Sequence, residues 1–145
     1  MFEFLTLKHY NNKMAVQGFI PEKGNWNPTE LNKIENLEFS RDSFTVNLFD
    51  KYLSELKNDN IEVVLVNSPV YYKATEKLLD REVMNEFYKK IARKYNFTYL
   101  DYTSDSLCFD STMFVMAVHL NEFGAKKFSH KLAIDLKKME LLKNK

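Results

Sequence analysis

Glycine is scarce in this chain. Only Gly18, Gly24 and Gly124 occur in 145 residues, and no two lie within five residues of each other. Phosphate-cradling loops need several closely spaced glycines, so neither the dinucleotide fingerprint nor the P-loop can be built. Cysteine is scarcer still. A single Cys108 excludes an internal disulfide and any multi-cysteine zinc site, and it does not distinguish cytosol from periplasm. No basic group stands near it in sequence, so a half-buried structural thiol is the expectation. Charge of one sign is also lacking. Twenty-one basic and twenty acidic residues give a net charge of +1, no reason to expect nucleic acid. No window approaches the ~18 apolar residues of a membrane span. The start, MFEFLTLKHYNNK, does not have the layout of a signal peptide. No membrane span is expected in this chain.

What is present suits a globular domain. Apolar residues make up 45% and charged residues 28%, which is not the balance of a disordered segment. A length of 145 matches one domain, with an irregular region over 1–40 and a regular α/β part over 41–145. Met14–Ile20 (MAVQGFI) predicts a strand stopped by Pro21. GNWNPTE is a polar loop, and Pro28 starts a short helix to about Asn36. From Asp42, Phe44, Leu48, Tyr52 and Leu56 recur every fourth residue, with Val46, Phe49 and Leu53 beside them. That spacing predicts an amphipathic helix. Ile61–Val66 predicts a buried strand that Pro69 ends.

A long helix is expected over 75–95, with Leu79, Val83, Phe87, Ile91 and Tyr95 inward and Asn96 as C-cap. Phe97–Tyr102 predicts a strand, and 107–118 a loop with a short extended piece. Asn121 is a good N-cap for a last helix carrying Phe128, Leu132, Leu136 and Met139 inward. Alternating strands and helices argue for a mainly parallel sheet covered by helices, a three-layer α/β/α, flavodoxin-like architecture. The basic stretch after Phe123 has the spacing of a solvated helix face.

In such sheets ligands bind beyond the carboxyl ends of the strands. Asn67-Ser68-Pro69, the stretch Asp101 to Asp105, and His119-Leu120-Asn121 all fall there. His119 precedes a helix N-terminus, where a neutral imidazole is favoured and can act as a base. A structural hydrogen-bonding role fits it too. His9 and His130 have weaker cases. Ser68 stands at a strand end, but Pro69 offers no N–H to an oxyanion hole. Asp101, Asp105 and Asp110 are candidate partners for His119 and equally good turn formers. No histidine pair has metal-binding spacing, so no metal or cofactor is expected.

The segment FVMAVHLNEFGAKKFSHKLAIDLKK, from Phe114 to Lys138, resembles the last block of the SGNH (GDSL-like) hydrolase superfamily. His119, Leu120, Asn121, Gly124, Ala125 and Phe128 fit its H-L-N-x-x-G-A-x-x-F text. The resemblance extends over about Val46 to Lys138, to the bacterial branch of cell-envelope acyltransferases and esterases. It implies an ester hydrolase or O-acyltransferase acting on acylated carbohydrate, with His119 as base; Asn67, Ser68 and Asn121 are candidate binding residues by their places past the strand ends and before the last helix.

Two departures stand out. The family's triad aspartate, three residues before the histidine, is Met116 here, and a thioether cannot orient an imidazolium. The G-D-S block with the nucleophilic serine, and the oxyanion blocks after it, have no counterpart. The chain alone is therefore expected to be inactive.

Three origins remain open. One is the C-terminal part of a longer hydrolase, incomplete at the N-terminal side and with a cell-envelope location possible. Another is a short, catalytically silent relative. The third is an unrelated flavodoxin-like binding or assembly module. Few strands for three helices leave an edge exposed, so a homo-oligomer or an added N-terminal segment is expected as partner.

Overall fold

The computed structural model describes residues 21–33, 35–36 and 38–142. The expected strand Met14–Ile20 and the candidate His9 lie outside them. Among the described residues the chain is mixed α/β, with a small parallel sheet.

After a 3-10 helix at Pro28–Lys33, helix α1 runs over Ser43–Asn58. Asp42 caps it, its Oδ2 accepting from Thr45 N at 2.7 Å and Thr45 Oγ1 at 2.6 Å. Asn60, at φ 56°, turns the chain toward strand β1, Val64–Asn67. Strand β2, Thr98–Asp101, pairs with it in parallel, Val64 opposite Thr98 and Asn67 opposite Asp101. Both strands begin later than their apolar runs suggest.

Two helices stand where one is expected between these strands. α2 is a single turn, Tyr72–Thr75, and α3 runs over Arg81–Tyr95. Turns through Leu79 and Asp80 separate them, which leaves Leu79 and Val83 exposed rather than inward. Further along the same helix Ile91 and Ala92 are buried. Asn96 ends α3 in the left-handed conformation (φ 54°, ψ 46°), as its position predicts.

The expected loop over 107–118 holds more order. Two short 3-10 turns, Ser106–Phe109 and Ser111–Met113, lead into β3, Phe114–Met116. A tight turn through Ala117 and Val118 then pairs β3 antiparallel with β4, His119–Leu120. The last helix, α4, covers Glu122–Lys138 and is capped by Asn121 as expected. Phe128, Leu132 and Leu136 are half-buried, whereas Met139 is exposed.

The faces of the parallel pair follow the two-residue period of a strand. Asn67 and Tyr99 share the face that meets Asn85 of α3. Tyr102, one residue past β2 and of opposite parity, reaches α4. Its hydroxyl donates to Asp135 Oδ2 at 2.9 Å, and its ring meets Phe128 edge-on at 5.1 Å.

The best-formed core lies at the hairpin. Trp26, Leu31, Tyr71, Phe114 and Ala117 are buried together. Trp26 meets Tyr71 edge-on at 5.0 Å, and Tyr71 meets Phe114 at 5.9 Å. Two backbone bonds tie these distant segments, Trp26 N to Phe114 O and Tyr71 N to Ala117 O.

α1 is buried differently from its fourfold apolar row. Leu53 is 2% exposed and Val46, Phe49 and Leu56 are half-buried, whereas Phe44, Leu48 and Tyr52 stand 75%, 58% and 56% exposed. Positions 44, 48 and 52 drift round only about 80° of the helix, so they form one coherent stripe. Among the described residues nothing covers it.

Candidate functional site

The carboxyl ends of β1 and β2, the β3–β4 hairpin and the start of α4 lie near one another. Tyr71, four residues past β1, bonds the hairpin through Ala117 O, and Tyr102 N bonds Asn67 O at the end of β2. The three sequence stretches singled out as sites therefore converge on one end of the sheet.

Asn67 and Asp101 meet through Asn85. Asn67 Nδ2 donates to Asn85 Oδ1 at 3.3 Å, and Asn85 Nδ2 donates to Asp101 Oδ2 at 3.3 Å. Asp101 Oδ1 accepts from Thr103 N and Oγ1 at 3.0 and 2.8 Å, and Arg81 Nη2 donates to Thr103 Oγ1 at 2.7 Å. An open groove of roughly 580 Å³ runs beside Asp80, Arg81, Asn85, Asp101 and Ser104. Arg81 and Asn85 were not singled out by sequence. Their i,i+4 spacing puts them on one helix face, but only the arrival of β2 beside α3 gives them their partners.

Asp105 and Asp110 act as turn formers. Asp105 Oδ1 accepts from Leu107 N at 2.9 Å and Asp110 Oδ1 from Thr112 N at 3.0 Å. Asp105 also pairs with Lys131 at 2.7 Å. Burial pushes its carboxyl upward most strongly of any single influence. The Lys131 ammonium and the Leu107 N–H together outweigh that, so its pKa lies below the ordinary value. Among the described residues none of these three aspartates hydrogen-bonds His119.

His119 is exposed, and its imidazole makes no hydrogen bond or ion pair to the described residues. Its cross-strand partner is Met116, itself 55% exposed. The spacing of three, read along the sequence, becomes direct adjacency across the hairpin. Ser68 is exposed ahead of the buried Pro69. His130 is exposed within α4.

Asn121 is the best-satisfied side chain of the region, at 1% exposure. Its Oδ1 accepts from Phe123 N and Gly124 N at 3.1 and 3.0 Å. Its Nδ2 donates to Thr112 O at 2.7 Å and Gly24 O at 3.0 Å. One amide thus caps α4 and pins two distant loops behind His119. Gly124 serves the same junction. A Cβ there would lie 2.2 Å from Met113 O and 2.9 Å from Leu120 Cδ2, so only glycine lets α4 start so close to the preceding turn.

Cys108 is fully buried, and its thiol donates to Tyr102 O at 3.2 Å. Burial pushes its pKa upward, away from the thiolate a nucleophile requires. Among the described residues no three histidine, cysteine or acidic side chains gather as a metal site. No helix there is long and apolar enough to cross a membrane. Compared with known proteins, the chain matches no family model, no curated protein and no solved structure.

Proposed function

We propose that this chain is the histidine-bearing, C-terminal part of a three-layer, flavodoxin-like SGNH-hydrolase fold, related to esterases and O-acyltransferases of acylated carbohydrate. The observation that carries the reading is the pairing of Met116 with His119 at the carboxyl end of the sheet. An aspartate at position 116 would stand beside the imidazole as a triad requires. Its replacement by a thioether removes the group that would orient His119 and stabilise its charged form. Asn121 and Gly124 support the reading by holding the His119 loop against α4. Asn67 and Ser68 line the same end of the sheet, on the side where an acyl chain or sugar would lie.

In this reading His119 is a base without its own nucleophile. In a complete site it would take the proton of a serine hydroxyl and return it to the leaving group. Ser68 does not fill that role, because Pro69 denies it the adjacent N–H of an oxyanion hole. The chain alone therefore turns over no acetyl ester. The test is hydrolysis of p-nitrophenyl acetate by the unmutated chain and by His119→Ala. Equal rates, near the buffer background, are expected. Turnover lost in the mutant would mean that a nucleophile serves His119 after all.

A second reading, a non-catalytic assembly module forming homo-oligomers, is favoured by one observation. The Phe44–Leu48–Tyr52 stripe is a contiguous apolar face that no described residue covers. Sedimentation separates the two, since a compact monomer at micromolar concentration removes the assembly reading.

A further inference from the structure

The two sides of α4 differ in kind. Its inner side carries Gly124, buried beside Met113 and Leu120, and Phe128, whose ring meets Tyr102. Asp135 also turns inward, where it accepts from the Tyr102 hydroxyl. On the outer side, Lys126, Lys127, Lys131, Lys137 and Lys138 fall within one sector of about 140° around the helix axis. Phe123, His130 and Ile134 run down the middle of that sector, and all of these side chains are exposed. Phe123 is 58% exposed and Ile134 40%. No acidic residue of α4 stands in the sector, since Glu122 lies to one side of it and Asp135 to the other. The net charge of +1 thus conceals a strip of one sign.

Helix stability does not account for this arrangement. Lys137 and Lys138 suit the negative end of the helix dipole, but Lys126 and Lys127, nearer the positive end, gain nothing from it. Of these lysines only Lys131 pairs with a carboxylate among the described residues, Asp105 at 2.7 Å. Solvation explains exposed lysines and leaves Phe123 and Ile134 without a role.

A partner for this strip must supply negative charge on both flanks and an apolar medium between them. The surface of an anionic bilayer supplies both. Lysine ammonium groups reach the headgroup phosphates, while their stems and the neighbouring Phe123 and Ile134 enter the boundary with the acyl chains. The 17 residues of α4 give a strip about 25 Å long. It is convex, so a flat surface meets it along its whole length. A nucleic-acid backbone matches the lysines but offers Phe123 and Ile134 nothing. We propose that the outer face of α4 binds anionic lipid bilayers, lying in the plane of the headgroups rather than crossing them. The inference rests on α4 and is independent of the role assigned to His119.

The test is vesicle flotation of the full chain at about 0.1 M salt. Vesicles of phosphatidylcholine alone are compared with vesicles holding about 30% phosphatidylglycerol. Binding to the anionic vesicles only, and weakened several-fold at about 0.5 M salt, is expected. Lys127→Gln with Lys137→Gln should weaken it at least about tenfold, and Ile134→Gln at least about threefold. A labelled DNA duplex is the third arm, and Ile134→Gln should leave any duplex binding unchanged. No binding of the unmutated chain to anionic vesicles overturns the proposal, and so does equal binding to phosphatidylcholine alone. Vesicle binding that the lysine variant leaves unchanged overturns it too. Duplex binding as tight as vesicle binding, with Ile134→Gln altering neither, makes the face a site for nucleic acid and also overturns it. The substituted side chains are exposed, so circular dichroism should show unchanged helix content. If a variant does lose helix, the unmutated chain decides between the two vesicle types alone.

Discussion

The hairpin end and the α1 side both carry large apolar residues and differ sharply in how they are covered. At the hairpin, Trp26, Tyr71 and Phe114 interlock, and one buried amide satisfies four backbone groups. On α1, three large side chains in a row face outward. Segments nearly 100 residues apart in sequence close the first region, and all of them are described. The second has no described neighbour across its exposed stripe. Close packing tolerates little volume change, whereas an uncovered face tolerates much.

Four substitutions or titrations can break that contrast. Gly124→Ala should have the largest effect. Its new Cβ meets a backbone oxygen that cannot yield, so a loss of about 3 kcal/mol or more is expected in urea unfolding. A neutral result would mean that α4 shifts freely and that the junction is not close-packed. Asn121→Ala comes next, at about 2–3 kcal/mol, because it removes the cap and leaves the Thr112 and Gly24 carbonyls without their donor.

Tyr102 offers a pH test of the same end. Burial, then the hydrogen bond to Asp135, pushes its pKa up to about 12. A folded pKa above the ordinary value of about 10 favours the protonated folded state. That contribution is complete below about pH 10 and is lost as pH rises through about 12. Absorbance at 295 nm, compared with Tyr102→Phe, should show one late-titrating phenol; its ionisation near 10 would mean that Tyr102 is solvated. Leu48→Gln should change stability least, by under about 0.5 kcal/mol, since its side chain already meets solvent. A loss above 1 kcal/mol in thermal unfolding would show that the α1 stripe is covered, and would erase the contrast.

Much of the local structure was legible in the sequence. Asn96 and Asn121 sit at the helix ends their chemistry favours, and Pro69 stands just past β1. The α1 stripe was legible as a stripe but not as an exposed one. Periodicity reveals which residues share a face, while the neighbour that covers the face comes from elsewhere in the chain. The break before α3 was missed because Leu78, Leu79 and Val83 continue a helical spacing across the turns. At the site, the spacing of Met116 and His119 was plain, but their pairing needed the tight turn between them. The roles of Arg81 and Asn85 depend on β2 arriving beside α3, which no local pattern encodes.

The sequence by itself determined the main helices and several of their ends, at Asp42, Asn96 and Asn121, because caps, turn formers and apolar periods act within a few residues. It also determined that no aspartate stands three residues before His119, since residue 116 is methionine whatever the fold. Only the tertiary structure decided that Gly124 must be glycine, that Asn121 binds Gly24 from across the chain, and that Met116 stands against His119. Each of these depends on a distance between segments, and such distances are set by what packs against what.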